Sequence, residues 1–237
     1  MKRRRSDAAP ERLGTDRAAR SADPSPFAPE STVINWCSQY YHRVTGDMYV
    51  ERPRVMVVDD EKEVADAYAL RLKGVADVSV AYGGANALSA VDESAPPDVV
   101  LLDRRMPDRS GDDVLAELRD YDMRTRIVMV TAIDPGLELL ELPFDDYLCK
   151  PVEREDVRTA VDQQCQVLAY ELLGAYFEVE SKRSVIAAEL PPERLSGSEE
   201  FATLDDRATA LRDRICRLLP DAEALLDTFS GIERETY

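Results

Sequence analysis

Histidine is almost absent: His42 stands alone in 237 residues. Ser-His-Asp and Cys-His nucleophile sites and His-ligated metals need an imidazole beside the reacting group, so a single ring removes most of that chemistry. The four cysteines, Cys37, Cys149, Cys165 and Cys216, form no CxxC pair, and no apolar signal segment follows Met1. Neither a disulfide framework nor a zinc cage is expected, and a reducing cytoplasm fits best. No apolar run approaches the roughly 20 residues of a membrane span, so no membrane partner is expected. Lysine is scarce too, with 5 of the 30 basic residues against 25 arginines. Facing them are 47 acidic residues, for a formal charge of -17. That balance suits a halophilic cytoplasm, where a Debye length of about 3 Å near 1 M salt screens the self-repulsion.

What is present divides into three parts. Residues 1–51 open on Lys2, Arg3, Arg4 and Arg5 and continue in Ala, Pro, Ser, Asp and Arg without helical or strand period, the composition of a disordered leader. Residues 52–166 alternate short apolar runs with amphipathic stretches. Strands are predicted at Arg54–Val58, Val78–Ala81, Val99–Leu102, Ile127–Val130 and Tyr147–Cys149, with helices beginning near Glu61, Gly84, Gly111 and Glu153. This is the pattern of an α/β fold, a doubly wound five-stranded parallel sheet, whose chemistry belongs at the carboxyl ends of its strands.

Five polar groups follow those strand ends. Asp59 and Asp60 follow the first, Asp103 the third, Thr131 the fourth and Lys150 the fifth. Three gathered carboxylates repel one another unless a cation joins them, and oxygen donors without His or Cys favour Mg²⁺. A carboxylate beside that ion, a hydroxyl and an ammonium is equipped to attack a phosphoryl group, which makes Asp103 the candidate nucleophile.

The strings Val57-Val58-Asp59-Asp60-Glu61, Leu101-Leu102-Asp103-Arg104-Arg105-Met106-Pro107, Thr131-Ala132 and Cys149-Lys150-Pro151 resemble the receiver domain of two-component response regulators, a flavodoxin-like fold. The resemblance implies that Asp103 accepts phosphate from a histidine kinase, with Asp59, Asp60, Asp103 and the Arg105 carbonyl around Mg²⁺. It further implies that Thr131 and Lys150 meet the phosphoryl group, that Tyr147 is an aromatic switch partner of Thr131, and that the Lys150-Pro151 bond is cis. Such a domain is not an enzyme beyond slow self-phosphorylation and self-hydrolysis. A phosphatase of the haloacid dehalogenase type also uses an Asp nucleophile with Mg²⁺, but the position of its general acid is here Arg105. Only 19 positions separate Thr131 from Lys150, with Pro135 and Pro143 among them, so the fourth helix is expected to be short.

Residues 167–237 are helical in pattern, and the layout predicts an α-helical hairpin. One apolar seam runs Val161, Cys165, Leu168, Leu172, Ala175, Val179, Ile186. A second runs Phe201, Leu204, Ala208, Leu211, Ile215, Leu218, Ala222, Leu225, Phe229, and its spacing continues through Pro220. With Tyr176-Phe177 and Ser181-Lys182-Arg183, this region resembles the HalX domain that follows haloarchaeal receivers. Self-association or another protein contact through these helices is the favoured output. DNA binding is the alternative, with Arg207, Arg212, Arg214 and Arg217 as its basic face. Residues 152–237 hold 10 basic and 19 acidic side chains, an excess that opposes binding to phosphates.

Overall fold

The computed structural model describes residues 51–230 apart from 94, 122 and 133–135. His42, Cys37 and all but the last residue of the leader lie outside the described residues. Five strands form: β1 Arg54–Val58, β2 Asp77–Ala81, β3 Val99–Leu102, β4 Arg126–Thr131 and β5 Asp146–Cys149. They pair in the order β2-β1-β3-β4-β5, parallel throughout. β2, β4 and β5 begin earlier than the apolar runs did, at Asp77, Arg126 and Asp146, because ladder hydrogen bonds need no apolar side chain. Helices α1 Lys62–Leu72, α2 Gly84–Glu93 and α3 Gly111–Asp120 are the crossovers, and a 3-10 turn, Leu137–Glu141, stands between β4 and β5. The chain order reverses between β1 and β3, where an open parallel sheet leaves a crevice at its carboxyl edge.

Alternation along the strands divides the core. Met56, Val58, Val100, Leu102, Ile127 and Met129 face α2 and α3. Their neighbours Val55, Val57, Val99, Leu101, Val128 and Val130 face α1 and the long helix α4, Arg154–Glu189, in a cluster that continues into the carboxyl-terminal helices. At 36 residues α4 is about 54 Å long, far more than a receiver-sized sheet can cover, so its outer half must find other apolar partners. These come from α6, Glu199–Leu218, and α7, Ala222–Ser230, reached through the four-residue helix α5, Pro192–Leu195. Val161, Cys165, Leu168, Leu172, Ala175 and Val179 are all buried, opposite Ala208, Ile215 and Leu218.

The hairpin's second helix is capped by a side chain, and its apolar seam departs from the sequence pattern at one point. Helix α6 is capped by Ser198, whose hydroxyl accepts from the Phe201 N–H at 3.2 Å. The second seam does not pass unchanged through Pro220: α6 stops at Leu218, and after the restart at Ala222 the buried position is Leu226, with Leu225 exposed. Three residues of non-helical chain, Leu219 to Asp221, rotate the face, which a spacing count that assumes continuous helix cannot register.

Candidate functional site

Each acidic residue is held by the strand it follows. The Asp59 N–H donates to Ala81 O at 3.2 Å and the Asp103 N–H to Val58 O at 2.8 Å, which ties the ends of β1, β2 and β3 together. One oxygen of each carboxylate turns back on its own loop, as Asp commonly does after a strand. Asp59 Oδ1 accepts from Glu61 N at 2.9 Å, and Asp103 Oδ2 from Arg105 N at 2.8 Å. The other oxygens share one ammonium: Lys150 Nζ donates to Asp59 Oδ2 at 2.7 Å and to Asp103 Oδ1 at 2.8 Å. Lys150 is brought there by β5, where its N–H donates to Thr131 O at 2.7 Å, ahead of a cis peptide to Pro151. Thr131, the last residue of β4, is buried.

Asp59 is 2 % exposed and Asp103 6 %, so charge at this edge is poorly hydrated. One ammonium against two carboxylates leaves a negative charge in excess. Burial pushes the Asp103 carboxyl above its ordinary range, and the Asp59 charge adds to this, together outweighing the hydrogen bond from Lys150. Burial pulls the Lys150 ammonium down, but its bonds to Asp103 and Asp59 more than offset that and hold it above its usual value. An oxygen-only donor set with uncompensated negative charge fits a hard divalent cation such as Mg²⁺. Two carboxylates converge here rather than three. Asp60 is exposed, and among the described residues no three of His, Cys, Asp and Glu form a group that could hold a metal by themselves.

The loop after Asp103 is folded tightly beneath it. The Gly111 N–H donates to Arg104 O at 2.8 Å, and a Cβ at Gly111 would stand 2.2 Å from Asp103 O and 2.7 Å from Arg104 Cα. Only glycine permits that approach. Ser110 caps α3 by accepting from Asp113 N at 3.2 Å, while Asp108 reaches across to accept from Ala85 N at 3.1 Å at the start of α2. Arg104 pairs with both carboxylate oxygens of Asp112 and also hydrogen-bonds Tyr147. Tyr147 is half-buried against Phe144, ring centroids 5.7 Å apart. Asp108, Gly111 and Arg104 carry no signal of this in the sequence beyond the Ser110-Gly111 start of α3.

Comparison with known proteins bears on each part. Residues 55–162 match the response regulator receiver domain, and residues 166–231 match the HalX domain. The chain is a receiver domain followed by a HalX domain. A candidate transcriptional regulator of Haloferax volcanii is 38% identical over 175 residues, 73% of this chain and 30% of that protein. The transcriptional regulatory protein CutR of Streptomyces coelicolor is 44% identical over 102 residues, 41% of this chain and 46% of that protein. The chain thus spans less than half the length of these relatives. Among solved structures, the signal receiver domain of a candidate LuxO repressor protein from Vibrio parahaemolyticus is 28% identical, with a TM-score of 0.48 over 52% of this chain and 96% of that one. The likeness to a haloarchaeal protein agrees with the acidic, lysine-poor composition.

In the HalX part, the arginines weighed as a basic face are divided. Arg207 and Arg212 are exposed, whereas Arg214 and Arg217 turn toward the receiver. No described helix is long and apolar enough to cross a membrane.

Proposed function

We propose that this protein is a cytoplasmic phosphorelay response regulator whose receiver, residues 52–166, takes a phosphoryl group on Asp103 from a sensor histidine kinase. Its state would pass through the HalX helices, residues 167–237, by protein interaction. The observation that carries this reading is the pairing of Asp59 and Asp103 with Lys150 Nζ at 2.7 and 2.8 Å in a poorly hydrated strand-end crevice.

The chemistry follows from those groups. An Asp103 oxygen attacks phosphorus, the bond from phosphorus to the donor imidazole nitrogen breaks, and the ring leaves with the electron pair, yielding an acyl phosphate. Asp103 attacks as the carboxylate, and Lys150 is placed to neutralise charge gathering on the phosphoryl oxygens. Asp103 Oδ2 is kept in register by the Arg105 N–H. Thr131 would donate its hydroxyl to the new group, and Tyr147 would follow that movement. Mg²⁺, held by Asp59 and Asp103 with Asp60 and the Arg105 carbonyl as further oxygen donors, would supply positive charge that compensates the carboxylates and the incoming phosphate. Turnover would be limited to slow self-hydrolysis.

The names of the Haloferax and Streptomyces relatives, both transcriptional regulators, make DNA reading the competing output. Against it stand the acidic excess of residues 152–237 and the inward turn of Arg214 and Arg217, which leaves Arg207 and Arg212 as the outward cations of that set. Labelling by a small acyl phosphate or a phosphorylated kinase tests the acceptor: wild type should be labelled and Asp103→Asn should not. A gel shift in molar KCl tests the output, and discrete DNA sites would favour the competing reading.

A further inference from the structure

Asp98 lies just before β3, at the amino edge of the sheet and therefore at the opposite end of the strand that delivers Asp103. Its side chain is 0 % exposed, the most expensive place for a carboxylate unless it is fully paired. Its backbone is spent in the sheet, with the N–H donating to Arg54 O at 2.8 Å and the carbonyl accepting from Arg126 N at 3.0 Å. Among the described residues, the receiver gives the side chain one donor, the Arg54 N–H, 2.9 Å from Oδ2, and its other partners come from α6. Arg214 Nε reaches Oδ1 at 2.8 Å, Arg217 Nε reaches Oδ2 at 3.1 Å, and Arg217 Nη2 reaches Oδ1 at 3.3 Å. Arg214 also donates to the carbonyls of Arg124 and Pro97, on the two loops that enter β4 and β3.

The arrangement is costly for each side alone. Without α6, Asp98 would keep a single backbone donor, and without Asp98 the Arg214 guanidinium, 17 % exposed, would face carbonyls, while that of Arg217, 7 % exposed, would keep the Glu51 carboxylate at 3.4 Å. Burial also matters for a protein with a haloarchaeal relative. Molar salt screens an exposed pair such as Lys182–Glu178, whereas a pair removed from solvent is screened much less. The apolar contacts point the same way, since one cluster runs from Val55 and Leu101 in the sheet to Ile215, Leu218 and Leu226 in the last helices.

We propose that Asp98 is a docking anchor for the HalX helices: it receives Arg214 and Arg217, fastens α6 to the edge of the receiver opposite the phosphoacceptor, and withdraws both arginines from any external anion. Receiver and HalX helices then move as one body, and partners read its outer surface rather than a helix set free. This goes beyond the acceptor chemistry and does not depend on it.

Hydrogen exchange on the full-length chain in molar KCl decides it. In Arg217→Met, amides of residues 199–230 should exchange at least about tenfold faster than in wild type, with β4 changing by less than about threefold, the signature of a sub-global opening. Asp98→Asn should do the same. Should that variant fail to fold, Arg217→Met decides alone, because it leaves Asp98 with Arg54 and Arg214 and keeps an apolar stem in place. Protection of residues 199–230 within about threefold of wild type would overturn the proposal, as would an equal acceleration in β4, which marks general destabilisation. Phosphoryl labelling of Asp103, measured in parallel, reports on the acceptor separately.

Discussion

Replacing Lys150 by methionine removes one charge while keeping most of the side-chain volume, and its consequence can be worked from the site. At an effective dielectric of about 20, contacts of 2.7 and 2.8 Å are each worth roughly 6 kcal/mol of gross attraction, most of which repays desolvation. The net loss is better taken from buried pairs broken on one side, about 3–5 kcal/mol. The lower end applies, because each carboxylate keeps one backbone donor, Glu61 N for Asp59 and Arg105 N for Asp103. For a unit of this size about 3 kcal/mol corresponds to a fall in Tm of roughly 6–12 °C. Circular dichroism melts in molar KCl with EDTA measure it. If the two acids form a cation site, Mg²⁺ at about 100 times its Kd should raise the stability of the variant by up to about 2.7 kcal/mol over its value in EDTA. A Tm within about 2 °C of wild type in EDTA would refute the charge argument. A Tm of the variant that ignores Mg²⁺ would refute the cation site.

Other outcomes follow from single contacts. Asp103→Asn should abolish labelling. In EDTA it should also be more stable than wild type at neutral pH: the Asp103 carboxyl titrates above its unfolded value, so native stability is lost as pH rises through that raised value, and the variant's advantage should vanish in acid. Gly111→Ala places a methyl group 2.2 Å from Asp103 O and should cost about 1–3 kcal/mol by urea unfolding, with slower labelling as the acceptor loop shifts. Arg183 holds the Glu180 carboxyl below its ordinary range through hydrogen bonds of 2.8 Å, so their contribution is present above the unfolded Glu value and lost as pH falls through the depressed one. Glu180→Gln should therefore cost about 1 kcal/mol at neutral pH and flatten the acid limb of the stability profile.

Much of the receiver is legible in one dimension because its strands are short, apolar and parallel. Val99–Leu102 is buried on both faces and can hardly be anything else, and the residue after such a strand must lie at the sheet edge. The positions of Asp59, Asp103, Thr131 and Lys150 follow from that rule alone. Asp60 shows its limit, since the chain that carries Asp59 inward turns the next side chain to solvent. Gly111 and Asp108 were not legible, because their roles depend on how closely one loop passes another. The hairpin was legible as two apolar seams, but the rotation of face at Pro220 was not, as a helical count presumes an unbroken helix.

Asp98 marks the boundary most sharply. As sequence it is an acid after two prolines, and Arg214 and Arg217 alternate with acids on a helix, a pattern that reads as a solvated surface. Local periodicity determined the α/β order, the strand-end chemistry and the existence of a helical hairpin, since each depends on neighbours within a few residues. Tertiary packing alone decided which charges are buried, because a guanidinium 116 residues from its carboxylate is indistinguishable from a surface one until the two helices and the sheet close around it.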